Sequence, residues 1–174
     1  MEMKKLSPVG TLVLELELGK QLVDLSSQVK VREMTGEQST LLELSVSKPD
    51  AGKILGRGGR TATNIRTLLG CISGRAQRRF RLEILEPDES PLGGHAPEAQ
   101  ASDPVPGVIS MLTRVLVAMV DQSAEVEVKA LRGSQIVVFE VRVHPDDVKL
   151  VLGRGGKSAT ALRELVQNLS LIHI

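Results

Sequence analysis

The chain repeats itself. Sliding it by 97 positions lays Gly10–Leu69 over Gly107–Val166 without a gap, and about a third of the matched positions are identical. Asp24 falls on Asp121, Val29 on Val126, Val31 on Val128 and Gly36 on Gly133. Glu43 falls on Glu140, Val46 on Val143 and Asp50 on Asp147. Agreement peaks where Leu55-Gly56-Arg57-Gly58-Gly59 recurs as Leu152-Gly153-Arg154-Gly155-Gly156. Just beyond, Ala62, Thr63, Arg66 and Leu68 recur as Ala159, Thr160, Arg163 and Leu165. Two copies of this length mean tandem domains; a solenoid stacks more and shorter repeats.

Between the copies lies PDESPLGGHAPEAQASDPVPG, rich in Pro, Gly, Ala and acids and free of Lys and Arg. Such a segment has too little apolar surface to pack and reads as a flexible linker over residues 87–106. It separates a first domain over 8–86 from a second over 107–168. About 20 such residues span roughly 25 Å.

The repeat also decides one ambiguous segment. Thr11–Leu18, TLVLELEL, alternates like a strand. Its counterpart has apolar residues at Ile109, Leu112, Val115, Leu116, Met119 and Val120, a helical spacing. Homologous segments share a structure, so both are expected to be helices. Strands are predicted at Val29–Met34 and Val126–Leu131, with turns at Gly36 and Gly133, and again at Thr40–Val46 and Ile136–Val143. HPDDVKLVLG begins a short helix with an acid in its first turn, where the dipole favours an anion. Helices at Thr61–Leu69 and Ser158–Val166 follow the glycine loops, and Arg78–Leu85 is a third strand. Each unit therefore reads α-β-β-α-loop-α-β, a mixed α/β (α+β) fold with helices on a three-stranded sheet.

Composition removes several functions. Trp and Tyr are absent and only Phe80 and Phe139 are aromatic, so modules that stack bases on exposed rings are excluded. Cys71 stands alone, so there is no disulfide framework, and a reducing cytoplasm is the expected compartment. His95, His144 and His173 share no ligand spacing, and no nucleophile–base set appears. Neither metal nor cofactor nor enzymatic chemistry is expected. No apolar run approaches the roughly 18 residues of a membrane helix, so no membrane partner is expected either.

The glycine loop fails two phosphate motifs. GGKS at Gly155–Ser158 resembles the end of a Walker A loop, but position 151 is valine where that motif needs glycine. The dinucleotide fingerprint needs glycine at position 61, which is threonine. What remains is G-x-x-G between two helices, preceded by Ile54-Leu55 or Val151-Leu152. In this element order the motif resembles a type II KH domain. LVD…VKVRE…LELSV…GKILGRGGRTATNIRTLL…RFRLEIL is similar to the small bacterial single-KH RNA-binding proteins of the KhpA type. The resemblance covers nearly all of the first unit and most of the second.

The resemblance implies that each loop clamps about four nucleotides of single-stranded RNA backbone. The residues support it. Gly56, Gly58, Gly59 and Gly153, Gly155, Gly156 let a phosphate approach the main chain, and Arg57 and Arg154 can fork onto it. Arg60 and Lys157 add charge at the helix start, and Arg66 and Arg163 sit one or two turns on, where they read equally well as solvated residues. Ile54, Leu55, Val151 and Leu152 would floor a groove for the bases. Net charge is only +1, but no acid lies between Ala51 and Leu82, a stretch with eight Lys and Arg. The second unit is less basic, so the first is expected to contribute more affinity. Arg75, Arg78, Arg79 and Arg81 would equally blunt an edge strand.

The repeat places the second unit's last strand near positions 177–182, beyond residue 174, so that copy is expected to lack it and to be the weaker half. LSLIHI, Leu169–Ile174, matches nothing in the first unit and equals the translation of a transposase end used in sequencing adapters. The native part of this sequence is therefore expected to stop at Asn168, with the native protein continuing beyond it. The expected function is that of a bacterial RNA chaperone or post-transcriptional regulator. The resemblance also implies self-association or pairing with a larger KH-containing protein. Two other readings are a transcription-elongation KH pair like that of NusA, which the long linker disfavours, and a protein-interaction scaffold that uses the fold without RNA.

Overall fold

The computed structural model describes residues 9, 10, 13, 29–85, 105–132 and 136–171. The first unit runs β1 (Lys30–Thr35), β2 (Ser39–Ser45), α1 (Lys48–Leu55), α2 (Arg60–Ala76) and β3 (Arg79–Leu85). The second runs α3 (Val105–Met119), β4 (Glu127–Arg132), β5 (Val137–Arg142), α4 (Val148–Leu152) and α5 (Lys157–Leu171). This is the expected tandem α+β arrangement. Of the Thr11–Leu18 segment only Val13 is described; it is helical and fully buried. The rest of that segment, the Gly133 turn and residues 86–104 of the linker lie outside the described residues.

The sequence repeat is also a geometric one. Val31 pairs with Leu44 in the first hairpin, and Val128 pairs with Val141 in the second, the same pair moved by 97 in both partners. Alternation sets the faces: Thr40, Leu42 and Leu44 of β2 are buried, while Leu41, Glu43 and Ser45 are half-exposed. The Gly36 amide donates to Ser39 O at 2.8 Å and closes the turn. β3 then joins β2 in parallel, which requires a crossover; α1, the glycine loop and α2 supply it. Leu42, Leu44, Ile54, Ile65, Leu68 and Leu69 fill the layer between sheet and helices.

Several boundaries differ from expectation; α5, for one, runs to Leu171 and not to Val166. α2 runs seven residues past Leu69, through Gly70 and Gly74. Interior glycines cost about 1 kcal/mol each, but both lie on the exposed face while Ile72 extends the buried stripe. Burial of such a side chain contributes about 1.5–3 kcal/mol and offsets them. The helix stops at Gln77, which is left-handed at φ 49°. α3 begins at Val105, before the expected domain start at 107, because Val105 and Val108 are both buried and Pro106 suits a first turn.

In the second unit β4 and β5 form a two-stranded sheet. No described strand lies on β5 where β3 lies on β2, as the repeat predicts. The consequence shows in the exposure of matched residues: Leu44 is 0% exposed and its counterpart Val141 37%; Thr40 is 1% exposed and Val137 41%.

The units dock through α2 and α5. Asn168 Nδ2 donates to Thr61 Oγ1 at 3.1 Å, and Cys71 Sγ lies 2.9 Å from Ser158 Oγ. Thr61 matches Ser158 in the repeat, and Cys71 matches Asn168, so these are one contact seen from each unit. The helices therefore run antiparallel about a pseudo-twofold axis. Asn64 Nδ2 also donates to Glu164 Oε2 at 2.8 Å, and the Arg75 guanidinium reaches Asp121 at 3.5 Å.

Asp147, expected to act on the helix dipole, does more. Its buried carboxylate accepts the amides of Asp121 (3.1 Å) and Gln122 (2.8 Å), tying the end of α3 to the start of α4. Asp147→Ala is expected to cost about 2 kcal/mol in urea denaturation, because two backbone amides lose a charged acceptor.

Candidate nucleic-acid interface

Each glycine loop is a short helix, a three-residue 3-10 turn and a long helix in succession. The two loops agree closely. Gly56 has φ 70°, ψ 171° and Gly153 φ 71°, ψ 174°; Gly58 has φ 66°, ψ 26° and Gly155 φ 65°, ψ 26°. Gly59 and Gly156 are left-handed as well, at φ 75° and 74°. Six left-handed glycines explain the motif, since the region is unfavourable for residues with a Cβ.

The glycines divide into two kinds. A Cβ on Gly56 would come within 2.9 Å of the Thr61 amide nitrogen and onto its hydroxyl; one on Gly153 would meet Ser158 in the same way. Around Gly58, Gly59, Gly155 and Gly156 an added Cβ would meet nothing within 4 Å. The first glycine is thus demanded by packing, and the next two form bare backbone facing open space.

The loop's own hydrogen bonds narrow what it can offer. Gly56 N donates to Gly52 O at 2.9 Å and Gly59 N to Gly56 O at 3.0 Å; Gly153 N and Gly156 N do the same at 3.0 and 3.1 Å. Amides at the two central turn positions, Arg57 and Gly58 or Arg154 and Gly155, have no acceptor within such a turn. α2 starts on Gly59 with no side-chain cap, which leaves its first amides to solvent or a ligand.

Arg57, Gly58 and Arg60 are exposed, as are Arg154, Gly155 and Lys157. None of these four cations forms an ion pair with another described residue. Lys53, by contrast, lies 3.4 Å from buried Asp50. Arg66 is exposed, but its Nε donates to Leu82 O on β3 at 3.4 Å, so it braces a strand. Arg163 is exposed beside the uncovered β5.

The apolar pairs split. Ile54 is 0% exposed and belongs to the core beneath the loop, whereas Leu55 is 36% exposed. Val151 is half-buried and Leu152 is 45% exposed. Leu55 thus faces outward beside the first loop, and Ile54 holds the loop from below.

Sequence reasoning passes over Thr61 and Ser158 as supports. Each hydroxyl sits beneath its loop's first glycine and also touches the opposite unit. A signal exists: small or polar residues at 61, 64, 71 and at 158, 161, 168 interrupt otherwise apolar helix faces at matched repeat positions. Among the described residues no cluster of metal-ligating side chains occurs, and no helix is long and apolar enough to cross a membrane.

Comparison with known proteins agrees with this geometry. The KhpA/KhpB KH-domain profile matches residues 16–84 and again 110–170, one segment per unit. The RNA-binding protein KhpA of Borreliella burgdorferi is 54% identical over 67 residues, 38% of this chain and 82% of that protein. KhpA of Chlamydia pneumoniae is 48% identical over 67 residues, covering 38% and 86%. That of Clostridium acetobutylicum is 43% identical over 68 residues, covering 39% and 91%. No solved structure gives a significant match. With a matching segment on each side of the linker, the chain belongs to the KhpA/KhpB KH-domain family, carrying its KH fold twice.

Proposed function

We propose that this chain binds single-stranded RNA through both glycine loops and acts as an RNA chaperone or post-transcriptional regulator. The observation that carries the reading is the pair of open loops: left-handed glycines facing empty space, flanked by exposed cations without ion-pair partners among the described residues. Relatives named as RNA-binding proteins support it. A phosphate can reach the Arg57 and Gly58 amides and the α2 entrance together, with the guanidinium alongside. The second loop repeats the arrangement at the opposite end of the helix pair. Thr61 and Ser158 are about 15 Å apart along the axis, at 1.5 Å per residue over the ten from Thr61 to Cys71. The loops lie a turn further out on each side. Two tethered weak sites then gain avidity at roughly millimolar effective concentration.

The test is charge reversal in the open positions. Asp tolerates the left-handed region at Gly58 and Gly155, so R57D/G58D and R154D/G155D should fold with unchanged circular dichroism. Anisotropy with a labelled unstructured RNA of about 20 nucleotides should fall about tenfold in affinity for either loop and to background for both. The log–log salt slope should shrink by about 0.7 for each phosphate that the altered loop no longer neutralises. A folded double variant that keeps its affinity and slope would leave the scaffold reading in place.

A further inference from the structure

The two glycine loops are related by a half-turn, and that relation limits how RNA can reach both. Thr61 meets Asn168 and Cys71 meets Ser158, and a shift of 97 exchanges the two contacts. Contacts that exchange in this way belong to a twofold interface. For two antiparallel helices the axis stands perpendicular to the plane they share. Rotation about it keeps both loops on the same side of that plane and reverses every direction lying in the plane. Modules related by a simple translation would instead present their sites head to tail.

The spacing follows from the helices. Thr61 and Ser158 are about 15 Å apart along the axis, and Gly58 and Gly155 each lie three residues further out, so the loop glycines are about 25 Å apart. Adding the usual lateral offset of about 8–10 Å between packed helices gives about 27 Å from one clamp to the other.

The surface beside each loop shows which way a strand lies. No acid occurs from Ala51 to Leu82. Arg60, Thr63, Arg66 and Gly70 are exposed along α2, from the loop toward the middle of the helix. On α5 the matching residues Lys157, Thr160 and Arg163 are exposed too. The first acid there, Glu164, is half-buried and accepts Asn64 Nδ2 at 2.8 Å. Each loop therefore opens onto cations and small residues that follow its own helix, in the plane where the axis reverses direction.

We propose that the two loops hold RNA segments of opposed polarity, so the ligand that engages both is bipartite: two short single-stranded elements joined by a spacer that doubles back. This rests on the RNA reading above and adds the ligand's arrangement to it. Four stacked nucleotides per clamp cover about 14 Å, at about 3.4 Å each. Like ends of the two segments then face each other across about 14 Å, while the outer like ends are about 40 Å apart. A natural strand has to join unlike ends, and that span is about 27 Å. A contiguous run of about eight nucleotides therefore cannot fill both clamps.

The probes are three labelled RNAs, each made of two segments of about four uridines or four adenosines. One ethylene-glycol linker with a reach of about 20 Å joins the segments 3′–5′, 3′–3′ or 5′–5′. By anisotropy with the full chain, one of the two inverted RNAs should bind about tenfold more tightly than the 3′–5′ RNA. The other inverted RNA should bind no more tightly than the 3′–5′ RNA, because its linker would have to span the outer ends. The gain should vanish in R57D/G58D and in R154D/G155D, each of which leaves one clamp. A linker of about 40 Å should bring the 3′–5′ RNA close to the better inverted one. Equal affinity for all three RNAs at the short linker, a tighter 3′–5′ RNA, or a gain that survives in either single-loop variant would overturn the proposal. If the unstructured RNA of about 20 nucleotides still binds in a loop-dependent way, the RNA reading stands without it. Failure of that strand and of all three probes to bind would overturn both.

Discussion

Alanine at Gly56 is expected to destabilise the chain by about 3–5 kcal/mol, and alanine at Gly153 by a similar amount, while alanine at Gly58 costs about 1–2 kcal/mol. All three glycines sit in the same motif with positive φ, yet their surroundings differ. Gly56 combines φ 70° with ψ 171°, a region almost closed to residues with a Cβ. A methyl there is also driven onto Thr61, whose amide nitrogen would be 2.9 Å away. Backbone strain of about 1–3 kcal/mol then adds to overpacking of similar size. Gly58 adopts the milder left-handed helical conformation with open space around it, so it bears the conformational cost alone. Small domains hold only about 5–15 kcal/mol in total, so Gly56→Ala should lower the urea midpoint severely and Gly58→Ala slightly. RNA affinity should rank the other way once the bulk at Gly58 becomes acidic. Equal loss of stability at Gly56 and Gly58 would mean that the first glycine is not held by packing.

Much of this architecture can be read from the sequence because the chain carries its own comparison. The register of the second hairpin follows from the first by adding 97 to both partners. The apolar spacing over Ile109–Val120 predicts a helix, and α3 covers that stretch nearly to its end. Long-range contacts are what the sequence hides. Nothing local in Cys71 reveals that its sulfur meets Ser158, since that contact depends on how two helices cross 87 residues apart. The length of α2 is hidden too, because Gly70 and Gly74 weaken the helical signal while their exposure on the outer face makes them tolerable. Ile54 and Leu55 are neighbours of similar chemistry, and only the turn of α1 decides that one enters the core and the other faces outward.

The docking of the units bears on the loops. Thr61 lies under Gly56 and takes a hydrogen bond from Asn168; Ser158 lies under Gly153 and touches Cys71. Each loop is thus supported from below by a residue that the opposite unit's helix holds. The linker therefore need not set the spacing of the two glycine loops. The antiparallel helix pair sets it, and the linker has only to be long enough not to interfere.

That arrangement gives the second large expectation. Ser158→Cys should form a disulfide with Cys71 under mild oxidation, because the new sulfur replaces an oxygen 2.9 Å from Cys71 Sγ. The parent has a single cysteine, so the product is unambiguous: both thiols disappear from titration and the monomer runs faster on a non-reducing gel. The bridge closes a loop of 87 residues and is expected to raise stability over the reduced form by about 4.6 kcal/mol in the chain-entropy account. Thr160→Cys is the control; that exposed residue is two positions along α5, pointing away from Ser158's face, and its thiol should stay free. The bridged protein should keep RNA affinity at both loops, since Arg57, Gly58, Arg154 and Gly155 all lie outside the helix contact and remain exposed. Two free thiols in oxidised Ser158→Cys would place α2 and α5 apart in solution and return the spacing of the two sites to the linker.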